Sequence, residues 1–189
     1  ARPGGGLTAA SGTGGTGPRL AIRRRPSTMT TPAVAPPPPG PAEWQLWFDG
    51  SAQPNPGRLG LGAVLVGPGG ERRDCSVLAP GHGCNNEAEL LALAKALELA
   101  RDAGARHLVL RGDSDFAVRH LRGEAVTQVG RLQALVAMIR GELGGFASVR
   151  LEWVPRHRNP DADRLSRAAL GLPDKPAGRP SAKKKKRHR

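Results

Sequence analysis

The stretch WQLWFDGSAQPNPGRLGLGAVLV, residues 44–66, decides the fold. Its opening alternates Trp44, Leu46 and Phe48 against Gln45, Trp47 and Asp49, which is a strand with two usable faces. A Pro/Asn/Gly cluster at 53–57 turns the chain, and GLGAVLV at 60–66 reads as the returning strand. GPGG at 67–70 is a second turn, leading to a third strand near 71–79. Three strands joined by two short turns form an antiparallel meander.

The pattern changes downstream. Residues 86–103 predict a helix, with Asn86 as N-cap, an Ala/Leu/Glu-rich body and Gly104 as stop. HLVLRGD at 107–113 is a short apolar run of the kind found in a buried parallel strand. A short helix is expected at 114–122, ended by Gly123, and another at 128–143 with Leu132, Leu135, Val136 and Ile139 on one side. SVRLEWV at 148–154 gives a fifth strand, and a last helix runs from Pro160 to Leu170. Proline suits a first helical turn, where its missing N–H has no partner to lose. The fold class is α/β: a mixed five-stranded sheet, three antiparallel strands then two parallel, flanked by helices.

Composition divides the chain into three. Residues 1–43 are rich in Gly, Pro, Ser, Thr and Ala, contain PPPPGP at 36–41, and are expected to be a disordered tail. Residues 173–189 end in SAKKKKRHR and read as a second, basic disordered tail. Residues 44–172 form the folded domain, long enough for one sizeable core. That domain carries 16 Lys/Arg against 14 Asp/Glu, net +2, while the tails carry +4 and +7. Basic character therefore belongs mainly to the tails, and the C-terminal one is suited to nucleic-acid phosphates through counterion release. A solvated, solubilising terminus is the alternative.

Cys75 and Cys84 have neither metal-ligand spacing nor a disulfide framework, so a reducing, cytoplasmic setting is expected. No apolar run is long enough to span a membrane. The first residue is Ala and the first Met is Met29, so synthesis is expected to start at Met29, which N-terminal sequencing of the native protein would decide. A monomer is expected.

Four acids carry the functional reading: Asp49 in WFDGSAQPNPG, Glu89 in NNEAELLAL, Asp113 in LRGDSDF and Asp163 in RNPDADRLS. Each falls where a strand is expected to end or a helix to begin. Each also has a plain structural explanation. Asp49 could close a strand into a turn. Asn86 with Glu89 matches a capping box. Asp113 could cap the short helix, and Asp161 and Asp163 would complement a helix dipole. Jointly they say more. Neighbouring strands lie about 4.8 Å apart, so Asp49 and Asp113 can approach closely. Crowded carboxylates raise a pKa or recruit a cation. An all-oxygen set suits Mg²⁺ or Mn²⁺ and not structural zinc. His82, His107, His120, His157 and His188 show no ligand spacing, and no nucleophile elbow or P-loop occurs.

DGSAQPNPG, NNEAE, GDSDF and VPRHRNPDAD, in this order and at these separations, resemble the type 1 ribonuclease H family over about residues 44–170. The resemblance implies in-line hydrolysis of the RNA strand of an RNA–DNA hybrid, leaving 5′-phosphate and 3′-hydroxyl ends. It implies two Mg²⁺ or Mn²⁺ ions. Asp49 would bridge both, Glu89 and Asp113 would join it at the ion beside the leaving oxygen, and Asp163 at the ion that activates water. The family spacing selects Glu89 over Glu87, Asp113 over Asp115 and Asp163 over Asp161. It further implies hybrid contacts from Asn55, Gly57, Asn85 and Asn86, through the 2′-hydroxyl and minor-groove base edges. Plain turn and capping roles are the alternatives for Asn55 and Asn86.

The sequence departs from that family at three places. Trp153 stands where many members carry a His, six residues before Asn159. His157 is the candidate replacement, with an exposed loop residue as the other reading. GEAVTQVG at 123–130 leaves no room for the basic, Trp-bearing insertion of some members, and residues 1–43 contain no recognisable hybrid-binding module. A nuclease of this fold acting on another duplex, and a catalytically idle binding module, are the competing readings.

Overall fold

The computed structural model describes residues 42–174. The disorder expected for the tails and the start expected at Met29 lie outside those residues, save for positions 42, 43, 173 and 174. The elements in chain order are β1 (Trp44–Gln53), β2 (Gly57–Val66), β3 (Arg72–Gly83), α1 (Asn85–Asp102), β4 (His107–Gly112), α2 (Asp115–Arg122), α3 (Gly130–Leu143), β5 (Ser148–Trp153) and α4 (Pro160–Ala169). A 3₁₀ turn at Arg156–Arg158 precedes α4.

The five strands form one sheet in the order β3-β2-β1-β4-β5. β1, β2 and β3 pair antiparallel, while β4 runs parallel to both β1 and β5. This is the expected mixed sheet. One face of β1 and its neighbours, carrying Leu46, Phe48, Leu65, Leu108 and Leu110, packs against Leu90, Leu93 and Leu97 of α1 and Ile139 of α3. The other face is covered over β1, β2 and β3 by α4.

Several expected boundaries move, β3 running on to Gly83 among them, and two of these changes bear on the site. β1 does not end at Asp49. It continues to Gln53, because Asp49–Gln53 stay in register with Gly62–Arg58 of β2. The DGS run that reads as a turn is thus strand, held by backbone pairing. Nor is Asn86 the N-cap of α1. That position is Cys84, with no side-chain cap bond, and Asn85 and Asn86 lie inside the first turn. The capping comes from elsewhere: Asn55 Oδ1, in the β1–β2 turn, accepts the Asn85 N–H at 3.1 Å. Helix starts leave several N–H groups without partners, and here a residue 30 positions away supplies one.

Candidate active site

Strand register brings the first two acids together. Trp47 of β1 pairs with Arg111 of β4, the last register pair between those strands. Two residues further along each strand come Asp49 and Asp113, on the face opposite the leucine core. Glu89 arrives from α1. That helix can close on β1 because Gly50 has no side chain: a Cβ there would lie 2.1 Å from the Ala88 carbonyl carbon. The close approach lets Glu89 Oε2 accept the Gly50 N–H at 3.3 Å. One carboxylate oxygen each from Asp49, Glu89 and Asp113 then lies within 4.8 Å of the others.

Asp163 stands beside this triad on the first turn of α4. Gly62 of β2 permits that placement, since a Cβ there would lie 2.3 Å from the Ala162 carbonyl oxygen. Asp163 is buried, and its Oδ1 accepts from Arg156 Nη2 at 2.8 Å. Arg156 also faces Asp113 at 3.9 Å, so one guanidinium spans two of the four acids.

The alternative acids are engaged elsewhere. Glu87 pairs with Arg131 at 3.0 Å, Asp115 with Arg119 at 3.6 Å and Asp161 with Arg72 at 2.9 Å. Ser114, not Asp113, caps α2, accepting the Ala117 N–H at 3.2 Å.

Crowding and burial show in the protonation behaviour. Burial pushes the Asp49 carboxyl up to about 7. The hydrogen bond from Ser166 opposes the shift, and the charges of Asp113 and Asp163 add to it. Burial likewise drives Glu89 upward, with Asp49 and Asp113 adding to the effect. Arg156 is pushed up chiefly by its hydrogen bond to Asp163. These shifts mark a pocket with an excess of anionic oxygen. All three triad donors are hard oxygens at mutual distances that one divalent cation can span, so the residues present fit Mg²⁺ or Mn²⁺.

Three supporting side chains were not singled out as site residues from the sequence. Ser166 Oγ donates its one proton to Asp49 Oδ2 and lies 3.0 Å from the Asp163 carbonyl oxygen. It sits one helical turn beyond Asp163, so the i, i+3 spacing on α4 was a readable signal. Asn159 Nδ2 donates to the Phe48 carbonyl at 2.9 Å and to Asp113 Oδ1 at 3.4 Å, tying the α4 start to two strands. Arg156 had no signal that separates it from Arg158.

The remaining expected positions lie outside the acid triad. Asn55 and Asn85 are exposed, Asn86 is half-buried and Gly57 is buried at the start of β2. Asn85 Oδ1 accepts the Ala52 N–H at 2.8 Å, which joins the turn to the helix start. His157 is exposed on the 3₁₀ turn. Trp153 is 51% exposed, and its Nε1 donates to the Asp113 carbonyl oxygen at 3.2 Å.

Residues 47–169 match the profile of the family described as Reverse transcriptase-like. The chain is 38% identical over 125 residues to the ribonuclease HI of Halobacterium salinarum, covering 66% of this chain and 62% of the relative. The chain belongs to the ribonuclease HI-like family. The crystal structure of ribonuclease H1 from Halobacterium salinarum superposes with a TM-score of 0.66 at 35% identity, over 68% of this chain and 98% of that one. LC11 ribonuclease H1, solved in complex with an RNA/DNA hybrid, superposes with a TM-score of 0.63 at 28% identity, over 68% and 96%. The family match over residues 47–169 takes in all four acids, while the chain spans less than two thirds of its Halobacterium relative's full length.

Proposed function

We propose that residues 44–172 are a catalytic domain that hydrolyses the RNA strand of RNA–DNA hybrids, with residues 1–43 and 173–189 as tails outside it. The observation that carries this reading is the Asp49–Glu89–Asp113 triad, within 4.8 Å, in a chain of the ribonuclease HI-like family. A hybrid-bound relative supports the substrate class. Asp49, Glu89, Asp113 and Asp163 would hold two Mg²⁺ or Mn²⁺ ions. Such ions neutralise charge at a scissile phosphate, polarise it and lower the pKa of bound water. The products would be 5′-phosphate and 3′-hydroxyl ends.

The chain's own residues do the positioning. Ser166 and Asn159 fix the rotamers of Asp49 and Asp113, so that the carboxylates stay convergent despite their repulsion. Arg156 offsets that repulsion before substrate arrives. Asn55 spends its carbonyl oxygen on the start of α1 and Asn85 spends its own on the end of β1, which leaves amide donors for 2′-hydroxyls and base edges. Asn86 and Gly57 flank them and would border the same minor groove. His157 would assist proton transfer or product release.

The deciding experiment is a cleavage panel of hybrid, duplex DNA, duplex RNA and single strands, each with Mg²⁺ or Mn²⁺. Cleavage confined to the RNA of the hybrid, and abolished by EDTA, is expected. An intact hybrid beside a degraded duplex RNA or DNA would move the protein to another substrate.

Removal of residues 175–189 should weaken hybrid binding and flatten its salt dependence, with kcat little changed. All eight Lys/Arg after residue 172 lie within residues 175–189, and each phosphate neutralised contributes close to one unit of the log–log salt slope. An unaltered slope would exclude the tail from binding. His157→Ala should lower kcat about tenfold, below the usual range for a positioned acid–base group because the ring is exposed. A wild-type rate would assign His157 to the loop alone.

A further inference from the structure

Beside the acids, a groove of about 720 Å³ is lined by residues of β1, β4 and β5, the end of α2 and the loop that follows β5. Its walls include Trp47, Arg111, Arg122, Trp153 and Arg158, with Glu152 as the one acid. We propose that this groove is a subsite for an unpaired nucleic-acid strand that continues from the hybrid past the cleavage site. The inference rests on the hybrid-cleavage reading and adds a preference for substrates with a single-stranded extension.

The groove is joined to the site through covalent and hydrogen-bonded steps. Trp47 is two residues from Asp49 and Arg111 two residues from Asp113, on the same face of adjacent strands. Two strand residues span about 7 Å, so an occupant of the groove lies next to the scissile position. Trp153 donates its Nε1–H to the Asp113 carbonyl and leaves about half its surface open.

The lining selects the occupant. Three arginines against one glutamate give a positive wall for a phosphate backbone. Arg111 is pinned by Glu152 at 2.9 Å and lies over the Trp47 ring at 5.1 Å, which fixes an indole–guanidinium platform. The Arg158 side chain makes no hydrogen bond or ion pair among the described residues and is exposed, available to a phosphate. Aromatic faces paired with arginines hold bases that are free of a duplex, since paired bases expose no face for stacking. The volume is that of a small-molecule cleft, far below what a duplex needs.

Full-length protein in EDTA, titrated with a 12-nucleotide single-stranded DNA, should show saturable quenching of tryptophan fluorescence. Arg158→Glu should weaken that binding about tenfold, and Trp47→Leu should remove most of the quenching. Both tails are present in every variant, so their contribution cancels. In Mg²⁺, hybrids carrying a single-stranded extension should show KM about tenfold below blunt hybrids. Arg158→Glu should erase that difference while blunt-hybrid cleavage continues. Equal KM for blunt and extended hybrids in the wild type, or a difference that survives both substitutions, would overturn the proposal. So would quenching by a peptide copying residues 32–41 but not by the oligonucleotide, which would give the groove to the chain's own proline-rich run. Loss of blunt cleavage in the wild type would refute the enzymatic reading instead, and the quenching arm would still judge the groove.

Discussion

Asp49→Asn is expected to reduce hybrid cleavage by at least about a thousandfold, while the metal-free protein becomes no less stable at pH 8. A thousandfold loss corresponds to about 4 kcal/mol of transition-state stabilisation, a reasonable share for the acid proposed to bridge both ions. The stability half of the prediction follows from linkage. Asp49 keeps its proton in the folded protein up to about pH 7, whereas the unfolded chain releases it near the model-compound value of 3.8. Between those values only the folded state holds the proton, so stability falls as pH rises from about 4 to about 7 and stays reduced above that. Glu89, also shifted upward by burial, adds to the same slope. The cost at pH 8 is on the order of a few kcal/mol without divalent ions. Asparagine has no proton to lose and can still accept the Ser166 hydroxyl. Urea unfolding in EDTA at pH 5 and pH 8 measures this directly: the wild type should lose stability over that interval and the variant should lose distinctly less. Equal losses would mean that Asp49 is not under electrostatic strain. Mg²⁺ should restore the wild type at pH 8 and leave the variant nearly unchanged.

Gly50→Ala is expected to cost about 3 kcal/mol or more and to lower the melting temperature by roughly 10 °C. The added Cβ would fall 2.1, 2.2 and 2.3 Å from the Ala88 carbon, the Ala88 oxygen and the Glu89 nitrogen. Ordinary carbon contacts lie near 3.5–4.0 Å. All three atoms are backbone, so no side chain can rotate away, and α1 must retreat from β1 by more than an ångström. Glu89 would leave the Gly50 N–H and the triad with it. Displacement on that scale costs about a hundredfold in rate even in protein that stays folded. A variant with wild-type melting temperature and wild-type cleavage would show that the helix–strand approach is not needed.

The elements of the fold were legible because their signals are local. Alternation in Trp44–Asp49, the Ala/Leu/Glu body of α1 and the stop at Gly123 each speak within one or two turns of chain. Glycine was the least legible residue. Gly50 after Asp49 reads as a turn, yet it lies in mid-strand and serves as the flat spot on which α1 lands. Gly62 looks like a weak point in β2 and is where α4 seats. In both cases the missing side chain matters for what approaches from outside the strand, which no local window contains.

For the site, the sequence by itself determined the supply of acids, their order, and the strands and helix starts that carry them. Family spacing then chose one acid from each close pair. Only the tertiary structure decided what holds those acids and what surrounds them. Ser166 reaches Asp49 across 117 residues, Asn159 reaches Asp113 across 46, and Arg156 spans Asp113 and Asp163. Backbone periodicity repeats within a few residues and can be read along the chain. Contacts between side chains so far apart exist only once the sheet is paired and the two helices have closed on its glycines.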